Sequence, residues 1–182
     1  MKDSYVKYWR KSLGEEQSRE GKLYLFRRSK TDFGTEPYLK HISKLKLRRA
    51  FTAFRISAHN LEIETGRYIH NINNGSCVKR EDRFCTFCYE EDTTMVMGDE
   101  THAVLNCPRF TDMRNRVFGK VDLLVPNFRY LSDDDKIFYL LTCENDCAIL
   151  VSKLLGVILS TQRPSFIKIW KELHVPIDVI GK

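Results

Sequence analysis

The segment FCTFCYEEDTTMVMGDETHAVLNCPRF, residues 84–110, carries three cysteines and one histidine in the order Cys-x2-Cys-x13-His-x4-Cys. No other feature of the chain restricts its folding so tightly. A Cys-x2-Cys turn presents two thiolates from one tight knuckle, and a His and a Cys near a helix complete a tetrahedron. Cys85, Cys88, His102 and Cys107 are therefore the expected ligands of one Zn2+ ion. Gly98 breaks the chain, Asp99 is placed to cap a short helix, and His102 and Cys107 project from that helix's beginning and end. Arg80 and Arg83, just before the first cysteine, are expected to lower the thiol pKa values. Four protein ligands leave no coordination position for water, so the expected site is structural rather than catalytic.

The alternative is four unrelated residues, three small buried hydrophobes and a surface histidine. Single Cys-x2-Cys pairs arise by chance, whereas a pair followed at finger-like distance by His-x4-Cys is far rarer. A ββα finger needs a large apolar residue shortly after the second cysteine and another just before the histidine. Asp92 and Asp99 hold those places. The gap before His102 is also too long for a retroviral knuckle. The metal is thus expected to staple a loop inside a larger helical domain.

The rest of the chain reads as mainly α. Helices are expected over 3–13, over KLYLFRRSKTDF before Gly34, and from Pro37 to about residue 58. In the third, Leu47, Ala50, Phe51, Phe54 and Ala58 form an apolar stripe, while Lys40, Lys44, Arg48 and Arg55 fall on another face. Residues 59–83 lose the helical period. They read as extended or looped backbone, with Leu61-x-Ile63 the only alternation and Asn74-Gly75 a turn. A helix is expected over 108–118, with Phe110, Met113 and Val117 inward and Gly119 as its stop. Ser132 and three aspartates start another, and two more are expected at about 145–160 and 164–173. The expected organisation is a basic arm over 1–36, a metal-stapled core over 37–118, and C-terminal helices over 119–182 packing on it.

Charge is unevenly spread. Residues 1–55 carry 15 Lys and Arg against 6 Asp and Glu, and the remainder 15 against 18. That concentration suggests an anionic partner such as nucleic acid, although a solvated helix face produces the same count. The start, MKDSYVKYWRKSLGEEQSRE, lacks the apolar core of a signal peptide, so an intracellular, reducing setting is expected. There, six cysteines are thiols or metal ligands rather than disulfides. The apolar run CAILVSKLLGVIL is interrupted by Lys153 and falls short of the roughly 20 residues that cross a bilayer, so it reads as a buried helix.

Several runs resemble one family. These are RRAFTAFRISAHNLEIETGRY, REDRFCTFC, GDETHAVLNCPRF and MRNRVF. Together they look like the region that follows the reverse transcriptase domain in LINE-like non-LTR retrotransposon proteins, most clearly over residues 37–118. The matching positions are Arg55, Ser57, His59, Leu61, Ile63, Glu64, Gly66, Arg67, Arg83, Glu100 and the four proposed ligands. The common family form has an aromatic residue where this chain has Ala103. The resemblance implies a zinc knuckle that contacts nucleic acid, in proteins whose upstream part copies element RNA into DNA. The polymerase's paired-aspartate hairpin has no counterpart, since SDDDK at 132–136 reads as a helix start, and neither flank carries an endonuclease signature.

The expected function is therefore non-catalytic, nonspecific binding of RNA or DNA. Lys44, Arg48, Arg49 and Arg55 are expected phosphate contacts, with Arg67, Lys79, Arg80 and Arg83 as a second group. Tyr5, Tyr8 and Trp9 near Lys7, Arg10 and Lys11 either stack on bases or pack on a neighbour. His59 is expected to be a hydrogen-bonded structural residue, and Glu64 and Arg67 to pair across one turn. Cys77, Cys143 and Cys147 lack the pattern of a second metal site. The rival reading is a protein-interaction module docking a partner through the metal-bound and C-terminal helices. A nuclease would need convergent carboxylates, whereas Asp133, Asp134, Asp135 and Lys136 are consecutive.

Overall fold

The computed structural model describes residues 2–12, 21–30, 32–69 and 77–174. Ten α-helices are described: α1 (Lys2–Ser12), α2 (Tyr24–Ser29), α3 (Tyr38–His41), α4 (Leu45–Arg55), α5 (Glu62–Thr65), α6 (Thr86–Asp92), α7 (Thr111–Leu124), α8 (Asp133–Thr142), α9 (Asn145–Ser160) and α10 (Phe166–His174). Among the described residues there is no strand, and Phe84 and Met97 form an isolated antiparallel bridge. The chain is mainly α, as its periodicity indicates.

The fold is organised around α9. Cys147, Ala148, Val151, Leu154, Leu155 and Ile158 are all buried, so apolar side chains ring most of this helix and neighbours must cover it. α3, α4, α7 and α8 do so. α4 supplies Phe51 and Phe54, both fully buried. A Cβ placed on Gly156 would lie 3.2 Å from Leu47 Cδ2, so this glycine permits the close approach of α4. No described helix is long and apolar enough to cross a membrane.

The expected long helix from Pro37 is broken. Ile42 to Lys44 are non-helical, and the chain turns between α3 and α4. In one straight helix Tyr38 and Thr52 would stand about 21 Å apart. Instead their hydroxyls are 2.8 Å apart, and the Tyr38 and Phe51 rings meet at 4.5 Å. Burying Tyr38 and Ile42 against α4 outweighs the continuity of the helix. Arg48 Nε donates to the Ile42 carbonyl at 3.0 Å and satisfies backbone freed at the elbow. α4 ends at Arg55, Ser57 adopts φ 50°, and Ala58 is exposed rather than part of the apolar stripe.

Other boundaries also move. α2 is shorter than expected, because Lys30 turns out to Glu36 and the Gly34 carbonyl. Gly119 does not stop α7, which runs on to Leu124 with Val117 and Val121 buried on either side. Within the 59–83 region, expected to be extended or looped, the described residues include the short helix α5 and 3-10 turns at Gly66–Tyr68 and Arg80–Asp82, with loop between them. Residues 13–20, and the Asn74-Gly75 turn, lie outside the described residues. Ser132 caps α8 as expected, its hydroxyl accepting from Asp135 N–H at 3.2 Å. Ile69, Val78, Phe84, Phe166, Ile169 and Trp170 make a second small core that seats α10 beside the cysteine-rich segment.

The two glycines separate these readings. A Cβ on Gly119 meets nothing within 4 Å, so Gly119→Ala should stabilise the protein by about 0.5–1 kcal/mol. Gly156→Val should destabilise it by ~1–3 kcal/mol through overpacking against Leu47. Denaturant unfolding of both variants is the check; equal effects would contradict the account.

Candidate metal centre

The four ligand candidates converge. Their ligand atoms all lie within 4.8 Å of one another, with Cys85 Sγ 3.9 Å from Cys107 Sγ and Cys88 Sγ 3.4 Å from His102 Nε2. Cys85, Cys88 and Cys107 are buried and His102 half-buried. A tetrahedral ion with sulfur ligands at about 2.3 Å and nitrogen at about 2.0 Å places neighbouring ligand atoms about 3.5–3.8 Å apart. The four residues are thus close enough to hold a metal ion. They are the only such group found among the described residues, and Cys77, Cys143 and Cys147 form no second one.

Local structure explains the convergence. Cys85 N–H donates to the Val96 carbonyl at 2.7 Å and Gly98 N–H to the Arg83 carbonyl at 2.8 Å, closing residues 83–98 into a knuckle. Cys85 immediately precedes α6, so its thiol and that of Cys88 emerge from one turn. Asp99 caps the second half as expected, its Oδ1 accepting from His102 N–H at 2.8 Å. The following turn, His102–Asn106, is a π-helix rather than an α-helix. Residues five apart on an α-helix point about 140° away from each other. The wider turn, closed by Cys107 N–H donating to the His102 carbonyl at 2.7 Å, brings the imidazole and the thiol to one side.

The thiols hold charge unequally. A hydrogen bond from Cys107 draws the Cys85 pKa down to about 3. Burial and the charge on Cys85 push Cys88 up to about 12, and the hydrogen bond to Cys85 with burial pushes Cys107 up as well. Negative charge is thus favoured on Cys85 over its two neighbours, and a dication held here would compete with protons for the sulfurs. Arg83 does not face the thiols. Its Nε and NH2 donate to the Val78 carbonyl at 3.1 and 2.8 Å, and its NH1 to the Ile63 carbonyl at 2.9 Å. Its stem fills the space beside Gly66, where a Cβ would lie 2.6 Å from Arg83 Cγ. Arg80 lines a small cleft with Arg28, Asp99 and Asp134.

Buried polar groups pair on and beside the segments that carry the four residues. His59 is structural, and its partner is Glu100, 41 positions on, at 3.1 Å; Ser57 donates to the same oxygen at 3.1 Å. Burial opposes the Glu100 charge, yet the His59 and Ser57 bonds hold its carboxyl below the usual range. Glu64 accepts from Arg67 at 2.9 Å across one turn. Glu62 carries no sequence signal, but its Oε1 accepts from Thr86 N–H at 3.2 Å and Thr86 hydroxyl at 2.6 Å. Arg163 NH1 meets both Glu62 oxygens, at 3.0 and 3.1 Å. Gly98 makes room, since a Cβ there would lie 2.7 Å from Glu62 Oε2 and 3.0 Å from Cys85 N.

The expected cationic residues divide. Arg55 is not a surface contact: it is buried, pairs with Glu36, donates Nε and NH2 to Ser29 Oγ at 3.0 and 2.9 Å, and lies over the Tyr38 ring. Arg83 is likewise occupied by backbone carbonyls, and Arg67 by Glu64. Lys44, Arg49 and Lys79 are exposed, and Arg48 and Arg80 half-buried. Tyr5 and Tyr8 are exposed, with Tyr5 edge-on to Phe33. The Trp9 and Arg10 side chains lie outside the described residues.

Because burial and the neighbouring sulfur raise the Cys88 and Cys107 pKa values, metal uptake should release protons and affinity should rise steeply with pH. Competition titrations at two pH values with a chelator of known pH dependence are the check, and a flat profile would contradict the site as described. No protein-family model matches the chain, and no curated protein or solved structure matches it significantly.

Proposed function

We propose that the cluster binds one structural zinc ion and that the domain it staples binds RNA or DNA through phosphate contacts, without catalysis. Zinc suits three thiolates and an imidazole in a tetrahedron, and four protein ligands leave no open position for a reacting water. The observation that carries the nucleic-acid reading is the distribution of charge. Residues 37–61 contain no Asp or Glu, while Lys40, Lys44, Lys46 and Arg49 are exposed along the α3–α4 elbow. Rigid packing of α4 on α9 fixes these cations in space. Such an array neutralises phosphates and releases counterions regardless of sequence.

The knuckle's exterior has the opposite sign. Glu81, Asp82, Glu90, Glu91 and Asp92 are exposed around it, beside Lys79 and Arg80. In this reading the metal holds the domain together, and α3–α4, not the knuckle, meets the phosphates. Free thiols and a thiolate site fit a reducing intracellular compartment. The proposed origin is the tail of a retrotransposon reverse transcriptase. Its support is that Ser57, His59, Gly66, Arg83 and Glu100, all positions of the resemblance, are hydrogen-bonded or closely packed around the metal cluster. A protein-interaction role is the second reading, favoured by the exposed Leu123, Leu124 and Tyr130.

Binding to a single-stranded oligonucleotide should weaken steeply with salt, and Lys44→Glu with Arg49→Glu should flatten the log–log slope by ~0.7 for each phosphate contact removed. Lys79→Glu should change it less. A shallow slope that ignores all three substitutions would favour the protein-interaction reading.

A further inference from the structure

We infer that Arg163, acting through Glu62 and Thr86, is a positioning residue for the metal centre, so that the α9–α10 connection sets the affinity for zinc. The inference rests on the zinc reading above.

Arg163 lies 101 residues from Glu62 in sequence, yet its guanidinium is buried against the Glu62 carboxylate. The carboxylate in turn holds the backbone N–H and the hydroxyl of Thr86, the residue directly after Cys85. This fixes the first turn of α6, from which both thiols of the first pair emerge. The same guanidinium stands 4.8 Å from the centre of the Phe87 ring and 5.9 Å from that of Phe110. Phe87 lies between Cys85 and Cys88, and Phe110 three residues beyond Cys107, with the two rings edge-to-face at 5.8 Å. Arg163 therefore touches both ligand-bearing segments and sets their spacing.

A Cys-x2-Cys turn and a His-x4-Cys turn on separate loops would have to be ordered when the ion binds. A buried carboxylate and guanidinium that already order them lower that cost. Groups that orient a metal's ligands change its affinity by about tenfold to a hundredfold when lost, and here the orienting bonds act through the backbone of the ligand-bearing turn. The chain around the cysteines is then an incomplete site, because its last support comes from the C-terminal third.

The test is zinc affinity by competition with a chromophoric chelator, on the full chain, with folding followed in parallel by near-UV circular dichroism. Glu62→Gln and Arg163→Gln should each weaken zinc binding at least tenfold, and the double variant should be no worse than the weaker single. Arg163→Lys, which keeps the charge but not the flat contact with both rings, should fall between. Thr86→Val leaves the ion pair intact, so it reads the last link even if the charge variants fail to fold; it should weaken zinc binding at least threefold. Full zinc affinity in Thr86→Val, or in folded Glu62 and Arg163 variants, overturns the proposal while leaving the zinc reading standing. An unaltered chain that takes up no zinc overturns both.

Discussion

Three buried thiols and an imidazole within 4.8 Å of one another are the constraint on which the rest depends. Such a cluster is a poor hydrophobic core, because it brings polar, titratable sulfur and nitrogen atoms together out of water. In the proposed reading a dication would resolve the conflict by replacing protons with bonds. The surrounding backbone is arranged for that exchange: a tight knuckle supplies one pair of ligands and a π turn the other. Neither element has enough length or apolar surface to persist alone in water.

The polar groups around the cluster follow from the same constraint. Glu62, Glu64, Arg83 and Glu100 are withdrawn from solvent beside short, irregular backbone. Desolvating such groups is costly, and their hydrogen-bonded partners offset part of that cost. Arg83 meets two carbonyls that no helix or sheet would satisfy, and Glu62 joins α5, α6 and the α9–α10 connection. These interactions are poor sources of net stability but strong sources of uniqueness, since a knuckle displaced by one residue would break the bonds of Glu62 to Thr86 and of Arg83 to Val78 and Ile63. The charge left at the surface is sorted by sign, with cations on the elbow and acids on the knuckle. In the proposed reading this sorting directs phosphates to α4.

Much of this was legible in the chain because it is local. The cysteine spacing identified the four residues that meet. The Ser132 cap and the apolar face of α9 follow from neighbours a few positions apart. What was not legible is set by distance in sequence. Nothing near Pro37 announces that Tyr38 will fold back onto Thr52, because the elbow is decided by burial rather than propensity. Nothing near Glu62 points to Arg163, or near His59 to Glu100. Arg55 and Arg83 read as surface cations by residue type, yet carbonyls, Ser29 and Glu36 occupy them. Gly119 has the residue type of a helix stop, but Val117 and Val121 pack on both sides and carry α7 through it.

X-ray absorption at the zinc edge, on protein purified without added metal, tests the central claim most directly. The account predicts about one zinc per chain with three sulfur neighbours near 2.3 Å and one nitrogen near 2.0 Å. A site dominated by oxygen neighbours, or a folded chain carrying no zinc, would contradict it.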